Sequence, residues 1–330
     1  MEDKMFKSTF SEEIMRFVEF RRTGGCWNKS YEQNLRLFDN YCAEVHPEED
    51  LSQEMVDEWC AKRETETKTS RNRRIASVKL FLEYLAERPK EDKSINVPVK
   101  LQEEKQKYIP YLFDRAELIG FFRECDSIEI HKDCKECIAK KTAAPVFFRL
   151  LYSSGIRTTE ARLLKRGDVD LENGVLDIQR TKGYRQHYVA LHPSMTSLLK
   201  EYDSIAEGQS PGREYFFESP RGGAYSASWV QETFKECWER ANGKHKHHPV
   251  PYDLRHNYAI ENINSWSGDS FRYIRDINIL ARSMGHSNIR STLYYYTVSP
   301  GLYDIIERMS SDSLDDVVKI LEVYRKRDFG

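Results

Sequence analysis

The chain has 330 residues, of which 39% are hydrophobic and 32% charged, and its formal net charge is −2. These values indicate a soluble, core-forming protein of about two domains. No apolar stretch is long enough to span a bilayer, and the first residues lack the basic and apolar regions of a secretory signal, so we expect a cytoplasmic protein. The small net charge does not exclude a nucleic-acid partner, because such binding depends on local basic patches.

Four amphipathic segments predict a small, all-helical first domain over residues 1–88. In each segment the apolar residues recur at the spacing of a helix that buries one face. The segments span residues 8–23, 30–45, 52–62 and 67–87. Residues 89–108 follow as a polar stretch with two prolines and no periodicity, which predicts an interdomain linker.

The fourth segment begins inside a basic run. Its cations are interleaved with hydroxyl and amide side chains, and both kinds of group can reach phosphate oxygens, so this helix is a candidate contact for a nucleic-acid backbone. The candidate cations are Lys68, Arg71, Arg73 and Arg74. A solvated helix face is the alternative, because most charge runs are of that kind.

The helical pattern returns at Ile109 and predicts a second domain over residues 109–300. Near its start lie four residues whose spacing can hold a metal ion: Cys125, His131, Cys134 and Cys137. A second compact pair of ligands, as in ordinary zinc sites, is missing, and the seven cysteines of the chain are odd in number and irregularly spaced. We therefore expect reduced thiols and no metal.

The segment SGIRTTEARLL breaks one helix and begins the next. Gly155 ends an apolar helix, and Thr158 or Thr159 caps the helix that follows. Arg157 lies in the break, so the turn can project its side chain away from a helix face. Glu160 lies where it can pair with an arginine or cap the new helix.

Residues 167–192 carry the clear β-signal. Short apolar runs around Leu176 and Val189 predict a hairpin with Lys182 at its tip. A lysine at a tip can reach into the groove of a partner, and a solvated turn lysine is the alternative. After two further helices comes the basic loop GKHKHHPVP, and three of its residues are candidate contacts to a nucleic-acid backbone: Lys244, Lys246 and His247.

Residues 252–296 concentrate groups for chemistry on an anion. The guanidinium of Arg255 can clamp a phosphate through two parallel hydrogen bonds. His286 follows a glycine and can handle a proton near neutral pH. Three consecutive tyrosines end the stretch, and a tyrosine hydroxyl can attack as a nucleophile where something lowers the cost of its oxyanion.

In their order and spacing, Arg157, Lys182, Arg255, His286 and a tyrosine resemble the tyrosine recombinase family, which includes the phage integrases, Cre and the Xer proteins. SGIRTTEARLL resembles the first box of that family, T-G-x-R-x-x-E-x-x-x-L, and TKG in the hairpin resembles its G-K-G. YDLRH resembles H-x-L-R-H, and MGHSNIRSTLYYY resembles L-G-H-x-x-x-x-x-T-x-x-Y. The first domain matches the family only in size and pattern.

The resemblance implies a mainly α-helical fold with a small antiparallel β-hairpin in the catalytic domain, arranged as a two-domain clamp around DNA. The first domain would be the family's helical, SAM-like core-binding domain, and residues 109–300 would be the catalytic domain. Residues 301–330 carry an apolar stripe. They would form a helical tail that docks on a neighbouring protomer, or that packs on its own domain.

The resemblance also implies roles for individual residues. Arg157 and Arg255 would clamp the phosphate, and Lys182 would protonate the leaving 5′-oxygen. His286 would hydrogen-bond the phosphate, and Glu160 would support and orient the first box.

Two tyrosine positions stay open under the resemblance. The family spacing selects Tyr295 as the nucleophile, nine residues after His286, whereas some relatives use the next position, here Tyr296. Tyr252 stands where the family most often has histidine. A phenol can still hydrogen-bond a phosphate oxygen, but with an ordinary pKa of about 10 it is a poorer base at neutral pH.

The implied function is site-specific recombination of a mobile element through a 3′-phosphotyrosyl intermediate, with no metal or nucleotide cofactor. The implied partners are double-stranded DNA target sites, further copies of the chain in a tetrameric synapse, and an accessory factor that bends DNA or sets direction; the site of action would be the nucleoid. One alternative is a type IB topoisomerase-like enzyme. The other is a catalytically decayed architectural DNA-binding protein, for which Tyr252 is the hint.

Overall fold

The structure, a computed structural model, describes residues 6–25, 27, 29–88, 95–101, 110–130, 134–179, 186–244, 248–266, 270–286 and 288–295, with the backbone alone for residues 270–274 and 290. The chain divides into two units, Met1–Lys107 and Tyr108–Gly330. In the described residues, helices predominate and a single small antiparallel sheet accompanies them. The predicted fold class, mainly α with a small antiparallel sheet, is therefore confirmed.

The described part of the first unit contains four helices: α1 (Ser11–Thr23), α2 (Lys29–Val45), α3 (Gln53–Cys60) and α4 (Lys68–Ala86). Each contributes its apolar face to one core that includes Phe17, Phe38, Val56 and Val78. Side-chain oxygens begin two of the helices, because an N-cap satisfies a backbone N–H that has no partner within the helix. Met55 N–H donates to the Ser52 hydroxyl and Ser70 N–H donates to the Thr67 hydroxyl.

Two arginines of α4 point into the first unit. Arg71 donates to the carbonyl oxygens of Cys60 and Val99, at 2.7 and 3.0 Å. Arg74 forms a two-pronged ion pair with Glu66, at 2.8 and 2.7 Å, and also donates to backbone carbonyls at the end of α3. A buried guanidinium is stable only where its donors are bonded, and here they tie the chain on either side of α4 to that helix.

The inward arginines correct the predicted nucleic-acid contact of α4. Arg71 and Arg74 are buried and hydrogen-bonded within the protein, so the structure does not support a phosphate contact for either. Lys68 and Arg73 are exposed on the same helix. The candidate contact is therefore reduced to these two cations.

Part of the predicted linker packs on the first unit. Asn72 and Leu101 exchange two hydrogen bonds, the side-chain amide donating to the carbonyl at 2.9 Å and the backbone N–H donating back at 3.0 Å. Ile95 and Val97 lie against the apolar core of the same unit. Residues 95–101 are thus an ordered part of that unit, although sequence composition placed them in the linker.

The described part of the second unit contains eight α-helices, one short 3-10 helix (Arg166–Asp168) and three strands. The helices are α5 (Arg115–Asp126), α6 (Lys135–Ser154), α7 (Thr158–Leu163), α8 (Pro193–Gln209), α9 (Ala227–Asn242), α10 (Asp253–Ser265), α11 (Ser270–Ser283) and α12 (Arg290–Leu293). Aromatic rings of α5, α6 and α9 fill the centre of its larger core, where Phe121, Phe148 and Phe234 are in mutual contact. A smaller core joins α10, α11 and α12.

The sheet consists of β1 (Val169–Asp170), β2 (Val175–Ile178) and β3 (His187–Ala190), paired antiparallel in the order β1-β2-β3. Leu176 on β2 lies opposite Val189 on β3, and both are fully buried, so this register turns the apolar residues toward the core. The predicted hairpin strands are confirmed. Lys182, at the predicted tip, lies outside the described residues.

The cysteines depart from the prediction of reduced thiols. Cys134 and Cys137 form a disulfide at the start of α6, where the Cys134 sulfur also accepts the backbone N–H of Cys137 at 3.2 Å. Cys125 is instead buried in the core beside Cys237. Within the described ranges, which exclude His131, no group of three or more potential ligands could hold a metal ion.

Candidate active site

The turn between α6 and α7 brings one backbone carbonyl and one arginine to the site. Gly155 ends α6 with a φ of +64°, a conformation that L-residues rarely adopt. A Cβ at this position would also collide with the ring of Tyr258. Because glycine allows the sharp turn, the Gly155 carbonyl faces α10, and Arg157 follows directly at the start of α7.

Arg157 is held by Glu160 from two directions. The Glu160 carboxylate accepts the backbone N–H of Arg157 at 2.8 Å and also pairs with its guanidinium. A second guanidinium nitrogen donates to the carbonyl of Gly285 at 2.9 Å. Glu160 is buried, whereas the Arg157 side chain keeps 23% of its surface exposed. Both predicted uses of Glu160, pairing and capping, occur together.

Arg255, on the first turn of α10, is the buried centre of the site. Its side chain is 1% exposed and donates to the carbonyls of Gly155 and Met284, the latter at 2.7 Å. The same nitrogen lies 2.9 Å from His286 Nε2, and its Nε has no hydrogen-bond partner among the described residues. Burial lowers the pKa of Arg255, yet an arginine stays charged at any ordinary pH.

The hydrogen bonds of His286 fix its protonation state. A guanidinium can only donate, so His286 Nε2 must accept from Arg255. Nδ1 therefore carries the proton and donates to the Thr292 hydroxyl at 2.7 Å. Burial and the neighbouring charges of Arg255 and Arg157 lower the pKa of His286 to about 3, so the ring is neutral near pH 7.

Tyr295 follows α12 and points its hydroxyl into the same cluster. Its side chain is 3% exposed, and the hydroxyl lies 3.0 Å from His256 Nδ1. Burial raises the pKa of Tyr295 to about 12, against the opposing effect of the Arg255 charge. Burial also lowers the pKa of His256 to about 4. The phenol is therefore protonated and the imidazole neutral, and Tyr295 donates this hydrogen bond in the tautomer of His256 whose ring proton lies on Nε2.

Tyr252 lies at the rim of the cluster, immediately before α10. It is 37% exposed, and its ring meets His256 edge-on with 4.9 Å between centroids. The guanidinium carbon of Arg255 lies 5.9 Å from the centre of the same ring. Tyr252 thus covers the two buried side chains from the solvent side.

The structure brings together most of the residues that the sequence singled out. Five of the predicted site residues share one cluster of hydrogen bonds and ring contacts, with Tyr252 at its rim: Arg157, Glu160, Arg255, His286 and Tyr295. Lys244 is exposed after α9. The others lie outside the described residues: Lys182, Lys246, His247 and Tyr296.

His256 is the site residue that the sequence interpretation did not assign. It follows Arg255 directly, and it lies one helical turn after Tyr252, on the same side of α10. That spacing is the signal that could have placed it in the site. The cluster therefore contains the buried Arg255, the partly exposed Arg157, two neutral imidazoles and one buried phenol. This combination suits the binding of a phosphate and attack upon it.

Sequence-family comparisons match both units. Residues 123–301 match the model of the phage integrase family, and residues 28–89 match the N-terminal SAM-like domain of phage integrases. The first match covers more than half of the chain and includes all the described residues of the cluster.

Several curated proteins are similar over long stretches. The putative integrase/recombinase y4rB of Sinorhizobium fredii is 25% identical over 308 residues, covering 89% of this chain and 95% of that protein. The putative integrase/recombinase y4rE of the same organism is 35% identical over 155 residues, covering 46% of this chain and half of that protein. Tyrosine recombinase XerC of Staphylococcus aureus is 26% identical, covering 70% of this chain and 71% of that protein.

Two solved structures share the fold. The XerH site-specific recombinase bound to its difH substrate aligns with a TM-score of 0.59 and 18% identity, over 92% of this chain and 85% of that chain. The Tn1549 transposon integrase in complex with transposon right-end DNA aligns with a TM-score of 0.56 and 15% identity, over 95% and 99% of the two chains.

Proposed function

The chain belongs to the phage integrase family, and from this membership we propose that it is a site-specific DNA recombinase of a mobile element, a transposon or a phage. It breaks and rejoins DNA strands through a phosphotyrosine bond. The observation that carries this proposal is the gathering of Arg157, Arg255, His286 and Tyr295 into one cluster of hydrogen bonds and ring contacts. A phosphodiester placed among these groups meets both a charge clamp and a nucleophile.

Arg157 and Arg255 clamp the non-bridging oxygens of the scissile phosphate. Their charges offset the negative charge that grows in the transition state. In the free protein, bonds to the carbonyls of Gly285 and Gly155 align the two guanidiniums. The Nε of Arg255 is a buried donor that a bound phosphate oxygen would satisfy.

The Tyr295 hydroxyl attacks the phosphorus and forms a 3′-phosphotyrosyl bond. The bond from phosphorus to the 5′-oxygen breaks, and Lys182 gives that oxygen a proton, which releases a 5′-hydroxyl. His286 and Tyr252 hydrogen-bond the phosphate, and Glu160 keeps Arg157 in place. The covalent bond conserves the phosphodiester energy, so rejoining needs neither a metal nor a nucleotide cofactor.

Double-stranded DNA is the partner of both domains, the core-binding domain over residues 1–88 and the catalytic domain over residues 109–300. The solved relatives carry DNA, difH in one case and a transposon end in the other. The exposed side chains of Lys68, Arg73 and Lys244 are candidates for contacts with its backbone, as are Lys246 and His247. Four copies of the chain form the synapse, and residues 301–330 join neighbouring copies.

Covalent trapping tests the proposal. A pool of nicked duplexes with randomised sequence is incubated with the protein, and adducts that survive SDS are isolated and sequenced. A nick lets the short cleaved fragment diffuse away, so the phosphotyrosine accumulates. We expect adducts with the wild-type chain and with Tyr188→Phe, a substitution of an exposed tyrosine, but none with Tyr295→Phe.

Each other outcome has a distinct meaning. Adducts with Tyr295→Phe that disappear in Tyr296→Phe would move the nucleophile by one residue. DNA binding without any adduct would indicate a decayed architectural protein. Relaxation of a supercoiled plasmid that lacks the selected site would indicate a type IB topoisomerase-like enzyme.

A further inference from the structure

The Tyr295 hydroxyl lies between the Arg255 guanidinium and a base, the imidazole of His256. His256 Nδ1 lies 3.0 Å from the phenolic oxygen, which is within the reach that general-base catalysis requires. His256 is 7% exposed and Tyr295 3%, so bulk water does not compete for the proton. The contact spans 39 residues of sequence and therefore depends on the folded arrangement of α10 and the segment after α12.

We propose that His256 is the general base of this recombinase, accepting the Tyr295 proton on Nδ1 as the phenolic oxygen attacks the phosphorus. This inference rests on the proposed function and adds to it a catalytic residue that directly touches a reacting atom. In the reverse step, the same nitrogen returns the proton when the phosphotyrosine bond breaks.

The proton and the bonds balance without any further reactant. The O–H bond of Tyr295 breaks as Nδ1–H of His256 forms, and the phenolic oxygen bonds to phosphorus. The bond from phosphorus to the 5′-oxygen breaks, and that oxygen takes a proton from Lys182. Rejoining runs each of these transfers backward, so His256 ends neutral, as it began.

Tyr252 is poorly suited to this proton transfer. It stands at the position where a histidine would act as a base, yet a phenol is protonated near neutral pH and can accept only through its oxygen. Its ring contacts His256 edge-on and is 37% exposed. The structure thus places an imidazole one helical turn further along α10, in contact with the nucleophile, while the phenol acts as a cover.

The charges around His256 favour its neutral form before DNA binds. The groups that face it come from its own helix and from the segments packed against it: Tyr252, Asp253, Arg255, His286 and Tyr295. Burial and the Arg255 charge hold the proton off the ring, and the Asp253 carboxylate favours protonation. A phosphate bound at Arg255 would offset the guanidinium charge, so the ring would become a stronger base when substrate is present.

The test uses His256→Asn in the full-length chain. The asparagine amide oxygen can replace Nδ1 as a hydrogen-bond acceptor but cannot hold a proton. The matched control is His192→Asn, because His192 is an exposed N-cap of α8 and asparagine is a good N-cap. The substrate is a nicked duplex selected by the wild-type chain, in its ordinary form and with sulfur in place of the leaving 5′-oxygen.

We expect His256→Asn to slow adduct formation by roughly 10²–10⁴-fold on both substrates, with unchanged DNA binding in a gel-shift assay. The Lys182→Ala variant should regain its rate of adduct formation on the sulfur substrate, because a thiolate leaves without a proton. The His256→Asn variant should stay slow on that substrate. Replacing Tyr295 by 3,5-difluorotyrosine, a more acidic phenol, should restore most of the rate in the His256→Asn background. His192→Asn should react like the wild type.

Two results would overturn the inference while leaving the proposed function intact: a wild-type rate for His256→Asn, or a slow rate that the fluorinated nucleophile does not restore. The second would indicate that His256 only supports the fold of the site. If the wild-type chain forms no adduct with any duplex, the proposed function itself fails and this inference falls with it.

Discussion

Gly155 and Gly285 lie at the two turns that carry the site, and both have a positive φ, of +64° and +61°. A Cβ at Gly155 would collide with the ring of Tyr258, and one at Gly285 with the ring of His187. At each position the missing side chain therefore allows both the turn and a close approach. The carbonyls that these turns present accept hydrogen bonds from the two arginines.

Gly155→Ala should destabilise the protein by at least about 1–2 kcal/mol, because the left-handed conformation alone is that unfavourable for an L-residue and the ring of Tyr258 must also move. Urea denaturation of the full chain measures the change. Gly208→Ala is the matched control, since Gly208 lies in α8 with nothing near its added Cβ. We expect it to stabilise by roughly 0.5–1 kcal/mol. Equal effects of the two substitutions would contradict this account of Gly155.

The lowered pKa values of the two buried histidines predict how the free energy of unfolding depends on pH. Folding lowers the pKa of His256 to about 4 and that of His286 to about 3, from an ordinary 6.5. Between those values and 6.5 the unfolded chain binds more protons than the folded one, so the free energy of unfolding falls as the pH falls. The stability that the two neutral histidines contribute is fully present above pH 6.5. It is lost as the pH falls toward their pKa values in the folded protein.

His256→Asn should flatten the dependence on pH. Removing one such histidine removes at most about 1.4 kcal/mol per pH unit from the slope between pH 6.5 and 4. Urea denaturation at a series of pH values gives the slope, and the exposed His192→Asn should keep the wild-type value. A slope that is the same in both variants would mean that folding does not lower the pKa of His256.

At the scale of elements, α4 separates two arginines that are adjacent in sequence. Arg73 is exposed, whereas Arg74 is buried and bonded to Glu66 and to backbone carbonyls. Arg74→Ala should destabilise the first unit by roughly 3–5 kcal/mol, because it leaves a largely buried carboxylate without its partner. Chemical denaturation followed by the fluorescence of Trp59, which Arg74 covers, reports the change.

Arg73→Ala is the matched control for that helix. Its unfolding free energy should stay within about 0.5 kcal/mol of the wild type, as at most exposed positions. Its DNA affinity should fall and lose part of its dependence on salt if Arg73 contacts a phosphate. A stable Arg74→Ala protein with weakened DNA binding would reverse the assignment of the two residues.

The pattern of apolar residues predicted the four helices of the first unit and the hairpin strands of the second, because each element buries one face. It did not predict α10, α11 and α12, the helices of the stretch that carries most of the motif residues. It also held a signal that the sequence interpretation missed. Arg71 and Arg74 fall on the same helical stripe as Ile75 and Val78, so their side chains had to point inward. The motif residues of the site could be recognised in the sequence by their type and order. The structure brings most of them together in one cluster.

The contacts between motifs could not be predicted from spacing. The bond from Arg255 to the Gly155 carbonyl spans 100 residues, and the bond from Arg157 to the Gly285 carbonyl spans 128. Each depends on how the α6–α7 turn meets α10 and α11, which is a matter of tertiary packing. The same is true of His256 and Tyr295, whose contact no local pattern could indicate. Cys134–Cys137 was missed because compositional rules treat cysteines by number and compartment.

At the scale of the whole molecule, residues 311–330 should act in assembly. Deleting them should abolish the pairing of two DNA sites while single-site binding stays within about threefold of the wild type, if the apolar stripe there docks on another copy. Gel-shift assays that resolve single-site complexes from paired-site complexes measure both quantities. Loss of single-site binding together with pairing would indicate that the stripe packs on its own unit.

The two arginine-to-glycine bonds have a consequence for building chimeras from related enzymes. Each arginine is anchored on the glycine turn of a different motif, and Arg255 also donates to the Met284 carbonyl beside Gly285. The three motifs are therefore bonded pairwise within the second unit. Exchanging one motif for that of a relative would leave a guanidinium facing a displaced carbonyl. Exchanging all the motifs together would keep both arginine–carbonyl hydrogen bonds. Sequence change in this site is therefore expected to proceed by coordinated replacement, with each motif constraining what its neighbours can become.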